Sequence, residues 1–299
     1  LLGGKFVPNF VVGKTATIQA LKNAGFWKVF VGTGAGLPRF MNVPGEHLIN
    51  VMSANEFLTR VNLMQGLRED YETPLPEIRG KEVIVIGAGN TAMDSARTAR
   101  RLGGNVTIVY RRTRAEMPVR VEELHHAIEE GIQLKFLRAP NEFVGDSKTN
   151  FVTHAMLDVM DLGEPDSSGR RSPVSTGEVE PMKVDLVIMA LGNTPNPIIK
   201  DSEPTLQTTK WGTIDVGQKG SQQTSLSGVY SGGDAARGGS TAIRAAGDGQ
   251  AAAREIVGDM NLSAEEIRKM VESAGHYTQL GASPQTILEK TDLAGGIVE

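Results

Sequence analysis

The sequence predicts an α/β fold of two parallel-sheet domains, one inserted into the other. Three observations carry that reading. Strand-like and helix-like runs alternate from Lys81 to Ala139; an apolar strand, VIVI, passes through the closely spaced small residues of GAGNTA into a helix; and a second strand, GVYSGG, ends in a glycine-rich turn before the small-residue segment TAIRAAGDGQAAA. Alternation of this kind implies a parallel sheet wrapped by helices. A chain of 299 residues corresponds to about two domains of roughly 100–200 residues each.

Along the chain, KFVPNFVV (residues 5–12) reads as a strand, TATIQALKNAGF as a short helix ending at Gly25, and WKVFVGTGA as a second strand. In SANEFLTRVNLM, Ser53 with Glu56 three residues on forms a capping box and starts a helix. TPLPEIRGKE, with Pro74 and Pro76, reads as a linker. Strand EVIVIG, helix NTAMDSARTARRLG, strand NVTIVYRR, helix VRVEELHHAIEEG and strand IQLKFLRA follow. Across residues 141–183 the alternation stops, and the short runs EFVGD, FVTHAMLDVM and EVEPMKV suggest a small antiparallel meander before VDLVIMALG returns as a buried strand.

VFVGTGAGLP (29–38) and VIMALGNTPN (187–196) share a layout: an apolar strand, a small-x-Gly turn, then proline. Turns of this kind can carry the chain beneath a ligand and into a neighbouring domain. As a flanking pair they predict that residues 76–190 form an inserted domain and that residues 1–75 and 191–260 are two parts of the outer one. Residues 261–299, with a capping box at Ser263 and Glu266, read as a peripheral helical tail.

Composition narrows the function. A net charge of −4 offers no basic stripe for nucleic acid or an anionic membrane. With no cysteine, these residues hold no disulfide, thiolate nucleophile, dithiol redox pair or cysteine-ligated Fe–S cluster. A thioredoxin-reductase type of chemistry is excluded on the same ground. No run approaches 18 apolar residues, and LLGGKFVPNF lacks the charged-then-apolar layout of a signal peptide. The expectation is a soluble, cytoplasmic protein. The 35 glycines exceed the average share of roughly 7% without any period, which places the excess in turns and ligand-hugging loops.

Gly87, Gly89 and Ala92 form G-x-G-x-x-A between a strand and a helix. The first glycine allows a tight turn, the second lets backbone approach a pyrophosphate, and the small third residue lets helix pack on strand. The helix start at Asn90 and Thr91 then offers N–H groups to phosphate. In that context the motif predicts a Rossmann-like dinucleotide site. An NAD site usually carries an acidic residue roughly 20 positions further on; here the sequence is VYRRTR, with Arg111 and Arg112. Guanidinium forks suit a 2′-phosphate, so the predicted coenzyme is NADP(H). Arg114 and Arg120 lie nearby, whereas Arg100 and Arg101 fit the wet face of the helix. His125 and His126 sit on a charged helix and read as solvated, and Met117 and Pro118 as loop formers. In the outer domain, Asp234 at the turn and the small-residue helix from Ser240 or Thr241 suggest a flavin site, with helix N–H groups facing the cofactor.

Together GVYSGGD, ALGNTPN, GTGAGLPRF and GAGNTAMDSARTARRLG with VTIVYRRTRAEMP resemble, in order, the glutamate synthase small-subunit family, related to the large subunit of NADH-dependent ferredoxin:NADP oxidoreductase. The likeness runs from residue 5 to about residue 258. It implies two Rossmann-like domains of the two-dinucleotide flavoprotein type. It also implies that Gly87, Gly89, Asn90, Thr91 and Ala92 cradle NADP(H), that Arg111 and Arg112 hold its 2′-phosphate, and that Gly233, Asp234 and Thr241 hold FAD with Thr33 and Gly34 close to the flavin. Family members begin with a cysteine-rich Fe–S domain and an FAD-type G-x-G-x-x-G unit, and neither pattern occurs here. The expectation is therefore a segment of a longer polypeptide or complex whose FAD domain is incomplete at its start.

The function implied is an NADP(H)-dependent flavin oxidoreductase module. It would pass hydride between NADP(H) and FAD, with electrons relayed to or from an Fe–S protein, a ferredoxin or a partner like the glutamate synthase large subunit. The competing reading is a non-catalytic NADP-binding or assembly domain of a larger electron-transfer complex.

Overall fold

KFVPNFVV does not form the expected strand. Pro8 has no N–H to give to a ladder and Asn9 adopts a positive φ of 58°, so the chain turns there and only Val12 makes an isolated bridge, to Ala16. The computed structural model describes residues 5–68, 70–165, 169–217, 220–260 and 265. The expected tail, including Ser263 and Glu266, lies outside the described residues except at Glu265. Residues before Pro38 and after Gly192 make one compact unit, and Pro38–Gly192 make a second. The first unit opens with α1 (Ile18–Asn23), capped by Thr17, whose Oγ1 accepts from the Ala20 N–H at 3.0 Å, and continues into β1 (Val29–Val31). The chain passes into the second unit through β2 (Leu37–Pro38).

In the second unit β3 (Val51–Ser53) leads into α2 (Ala54–Leu58), where the Ser53 hydroxyl accepts from the Glu56 N–H while Glu56 Oε1 accepts from Arg60 Nη2 at 2.6 Å, so only the serine half of the expected capping box is made, and then a π-helical turn (Thr59–Leu63). β4 (Glu82–Ile86), α3 (Asn90–Arg101), β5 (Asn105–Tyr110), α4 (Val121–Glu129) and β6 (Gln133–Phe136) follow the predicted alternation. Next come β7 (Arg138–Gly145), β8 (Val152–Pro165), β9 (Arg171–Lys183) and β10 (Leu186–Met189). Five of these strands form one parallel sheet in the order β3-β10-β4-β5-β6. Val51–Ser53 pairs with Val187–Met189, so this unit begins at Pro38, whereas the matching turns drew a boundary after residue 75.

Side chains alternate across a strand, and β4 separates two cores on that rule. Val83 and Val85 pack with Phe57, Met93, Ala96 and Ala99 on the helical face. Ile84 and Ile86 pack with Phe143, Ala155 and Leu157 on the other. The second face is therefore covered by the antiparallel sheet β7-β8-β9 rather than by helices. The meander was expected, but β8 and β9 are longer than the short runs read from the sequence. Most of β9 is exposed, and an exposed strand shows no apolar alternation to read.

The chain returns to the first unit through β11 (Asn193–Thr194), followed by α5 (Ile198–Ser202), β12 (Val229–Ser231), α6 (Asp234–Arg237) and α7 (Ala242–Asp259). β1 and β12 pair in parallel, Val29 with Val229 through Val31 with Ser231, over a core of Ile18, Ile199, Leu206 and Ile214. From α7 the buried Asp248 reaches back to the end of β12. Its Oδ2 accepts from Gly233 N at 2.9 Å and Arg237 Nε at 2.6 Å, and its Oδ1 from Arg237 Nη2 at 2.5 Å. Among the described residues no helix is long and apolar enough to cross a membrane.

Phe57 is fully buried, and truncating such a side chain leaves a cavity. Phe57→Ala is expected to lower unfolding stability by about 3–5 kcal/mol, read from urea denaturation. The Arg237 hydrogen bonds hold the Asp248 carboxyl below the ordinary aspartate range. Its stabilising contribution is thus present above the unfolded value, about 3.9, and is lost as pH falls through the folded one. Asp248→Asn should melt earlier than the parent at neutral pH, with the gap closing only below about pH 4.

Candidate functional site

At the end of β4 the chain turns at Gly87, whose φ is +125°. A Cβ there would stand 2.4 Å from the Ala190 carbonyl oxygen, a contact no side chain can make. Ala190 N donates to Ile86 O at 2.8 Å and Gly87 N to Val109 O at 3.1 Å, which draws the ends of β10, β4 and β5 together. Gly89 is the N-cap of α3 and makes no side-chain cap. A Cβ added to it would meet nothing within 4 Å, so the space above this backbone is open. Ala92 is buried, which lets α3 lie close on the sheet. Asn90 and Thr91 open the helix, whose first N–H groups lack intrahelical acceptors.

A cavity of about 610 Å³ lies over this turn, wide enough for a coenzyme. Its floor is Ile86–Gly89 and the β10 exit at Ala190–Gly192. Arg39, Arg111, Arg112, Arg138 and Arg170 line it, and among the described residues no carboxylate does. Arg111 is exposed at the end of β5. Arg112 is only 6% exposed, and its Nε donates to Arg171 O at 2.6 Å, tying β9 to the end of β5. The nearest acid in the chain, Glu116, is turned aside. Its Oε2 accepts from Thr113 N and Oγ1 at 3.1 and 2.5 Å, and the Thr113 hydroxyl hydrogen bond holds its carboxyl below the usual range.

The rim opposite is set by a loop. Glu46 Oε1 accepts from Met41 N at 2.6 Å and Asn42 N at 3.1 Å, while Gly45 packs so closely that a Cβ would lie 1.9 Å from Phe143 O. Arg39 N donates to Gly192 O at 3.1 Å. This places Arg39, Phe40 and Met41 on the cavity wall.

The remaining predicted residues belong to the other unit. Thr33 and Gly34 follow β1, and Gly233 and Asp234 follow β12, so both loops leave the same end of the parallel pair. Asp234 Oδ1 accepts from Ser240 N at 3.0 Å. Thr241 is the N-cap of α7, with its side chain making no cap bond. The Gly232–Asp234 turn is braced by Asp248, so its N–H groups are held in a fixed position.

Sequence reasoning missed Arg39, Phe40, Arg138 and Arg170 as cavity residues. Arg138 and Arg170 stand at a strand start and in a loop, where no motif marks them, and Arg39 and Phe40 close the GTGAGLPRF stretch without having been read as ligand-facing. Arg114 and Arg120, considered for the phosphate, are exposed and absent from the lining. Arg101 is exposed as expected, but Arg100 is half-buried, its Nε donating to Glu130 O at 2.8 Å. His125 and His126 are exposed, and Pro118 touches the cavity while Met117 packs on the helical-face core.

The chain is 38% identical over 254 residues to the glutamate synthase (NADPH) small chain of Azospirillum brasilense, covering 83% of this chain and 52% of that one. It is 36% identical over 250 residues to the NADP(+)-dependent formate dehydrogenase subunit beta of Moorella thermoacetica, covering 83% and 34%. It thus spans about half the length of the first and a third of the second. The structure of Mycobacterium tuberculosis FprA in complex with NADPH matches with a TM-score of 0.67 at 21% identity, over 96% of this chain and 73% of that one. That likeness bears on fold, and it agrees with the expected α/β architecture of two-dinucleotide flavoproteins. The resemblance to the glutamate synthase small-subunit family is likewise borne out. Residues 9–249 match the model of the pyridine nucleotide-disulphide oxidoreductases, and the chain belongs to that family.

Proposed function

We propose that this chain is the NADP(H)-dependent part of a flavin oxidoreductase, passing hydride between NADP(H) and FAD. Electrons would be relayed to or from Fe–S centres of a partner, a ferredoxin or a subunit like the glutamate synthase large subunit, within a larger cytoplasmic assembly. The observation that carries the NADP(H) reading is the cavity wall: five guanidiniums and, among the described residues, no carboxylate, above a glycine turn at a helix N-terminus. A pyrophosphate and a 2′-phosphate supply the matching negative charge, and an acidic wall would repel the second. The names of the relatives, two of them subunits that use NADP, support the same coenzyme and a multi-subunit setting.

In this reading the unit Pro38–Gly192, which takes in the expected residues 76–190 and adds β3 and the Arg39 loop, is the NADP(H)-binding domain, with Gly87, Gly89, Asn90, Thr91 and Ala92 receiving the pyrophosphate and Arg111 and Arg112 the 2′-phosphate. Thr33, Gly34, Gly233, Asp234 and Thr241 serve FAD in the flanking segments. Bound together, the two cofactors supply the hydride chemistry, and the chain's own residues orient them and exclude water. The open space over Gly89 admits a phosphate to backbone contact, and the braced Gly233–Asp234 turn beside the uncapped start of α7 suits a second anionic group.

Two measurements test this. Arg111→Ala is expected to weaken NADPH binding about tenfold or more, the size of a charge-assisted hydrogen bond, while NADH changes little; Gly87→Ala should weaken both. Equal losses of the two coenzymes in the Arg111 variant would remove the 2′-phosphate assignment. With FAD added under anaerobic conditions, NADPH should bleach the visible flavin absorption. Tight NADPH binding by a protein that takes up no flavin would favour the binding or assembly domain instead.

A further inference from the structure

Arg138 stands where the coenzyme's far end would lie. In the sheet, β5 and then β6 follow β4 on the side away from β10. A ligand that starts on the glycine turn after β4 and extends past Arg111 at the end of β5 arrives next at the end of β6. There Leu137 takes a positive φ of 53° and donates its N–H to Arg112 O at 3.2 Å, ending β6 and starting β7 at Arg138. Arg138, Ala139 and Pro140 all line the cavity.

The Arg138 guanidinium is held from behind. Its Nε donates to Glu180 Oε2 at 2.8 Å and its Nη1 to Leu137 O at 2.9 Å, and Nη2 finds no hydrogen-bond partner among the described residues. Glu180, on β9, also accepts from Lys135 Nζ at 2.5 Å through Oε1. Neither Glu180 nor Lys135 lines the cavity. One carboxylate is thus shared by two cations, which aims Arg138 without cancelling the positive charge of the group. The hydrogen bonds from Lys135 and then Arg138 hold the Glu180 carboxyl below its ordinary range, so the pair stays ionised at neutral pH. Arg112, by contrast, is buried against the β9 backbone.

We infer that Arg138 is a specificity-determining residue that reads the 2′-phosphate together with Arg111, and that Glu180 is the positioning residue that aims it. The antiparallel insert, and not the nucleotide-binding βαβ unit alone, then sets the preference for NADP(H). This role presupposes NADP(H) as the ligand.

Dissociation constants for NADPH, NADH and adenosine 2′,5′-bisphosphate, measured on the parent and on Arg138→Ala, Arg138→Lys, Glu180→Ala and Arg111→Ala, test it. Both Arg138 variants should weaken NADPH and the bisphosphate about tenfold, the size of one charge-assisted hydrogen bond, with NADH nearly unchanged. Glu180→Ala should move the same two ligands in the same direction by less, whereas a merely structural role would weaken all three alike. Arg138→Lys keeps a cation beside Glu180, so its melting temperature should match the parent even if Arg138→Ala folds poorly. Parent-like affinity in Arg138→Lys, or equal losses for NADPH and NADH, overturns the role of Arg138. If Arg111→Ala loses NADPH selectively and the Arg138 variants do not, that role alone falls. If the parent does not distinguish NADPH from NADH, the coenzyme assignment falls with it.

Discussion

The contact between the ends of β4 and β10 is the constraint on which the second unit, Pro38–Gly192, depends. Ala190 donates to Ile86, and the Ala190 carbonyl occupies the space where Gly87 would carry a side chain. Only a residue without a Cβ permits that approach at positive φ. The close approach sets the floor of the cavity and the direction in which α3 begins. Because β4 is buried on both faces, by helices on one side and the meander on the other, the turn it delivers rests on close-packed side chains.

Charge is arranged around that floor by sending the acids elsewhere. Glu116 caps a 3₁₀ turn, Glu46 ties down the Arg39 loop, and Glu180 lies behind Arg138. Each carboxylate stays close enough to fix a loop or a guanidinium, yet none faces the cavity. Guanidiniums gathered around one space give it a positive potential that an anionic ligand would complement. The other unit uses the opposite device: the buried carboxylate of Asp248 gathers the Gly233 N–H and Arg237 and holds a glycine turn in place.

Elements with a strong local signature were legible. Strands β4, β5 and β10 are rich in Val and Ile, α3 follows a glycine motif, and Ser53 caps the helix it precedes. The glycine turn at Gly87–Ala92 and the basic end of β5 stand out for the same reason, since each is a run of consecutive residues. The rest depended on contacts distant in sequence. KFVPNFVV has strand composition, but Pro8 and Asn9 turn it. β3 becomes a strand only because Val187–Met189 offers it a partner. Arg138 and Arg39 become cavity residues through a backbone kink at Leu137 and a loop clamped by Glu46. The extent of β9 was hidden because a solvated strand needs no alternating pattern.

The edge strand β3 has a consequence for how the protein is made. Asn50, just before it, donates its side-chain amide to Asp185 O across 135 residues of sequence, and among the described residues β3 pairs only with β10. Loop closure over such a span carries an entropic cost that must be met before the contacts are gained. During synthesis, α2 and the apolar side chains beside it must therefore wait on the ribosome for a neighbour that emerges much later. The margin of the sheet is thus written early in the sequence and given its partner late.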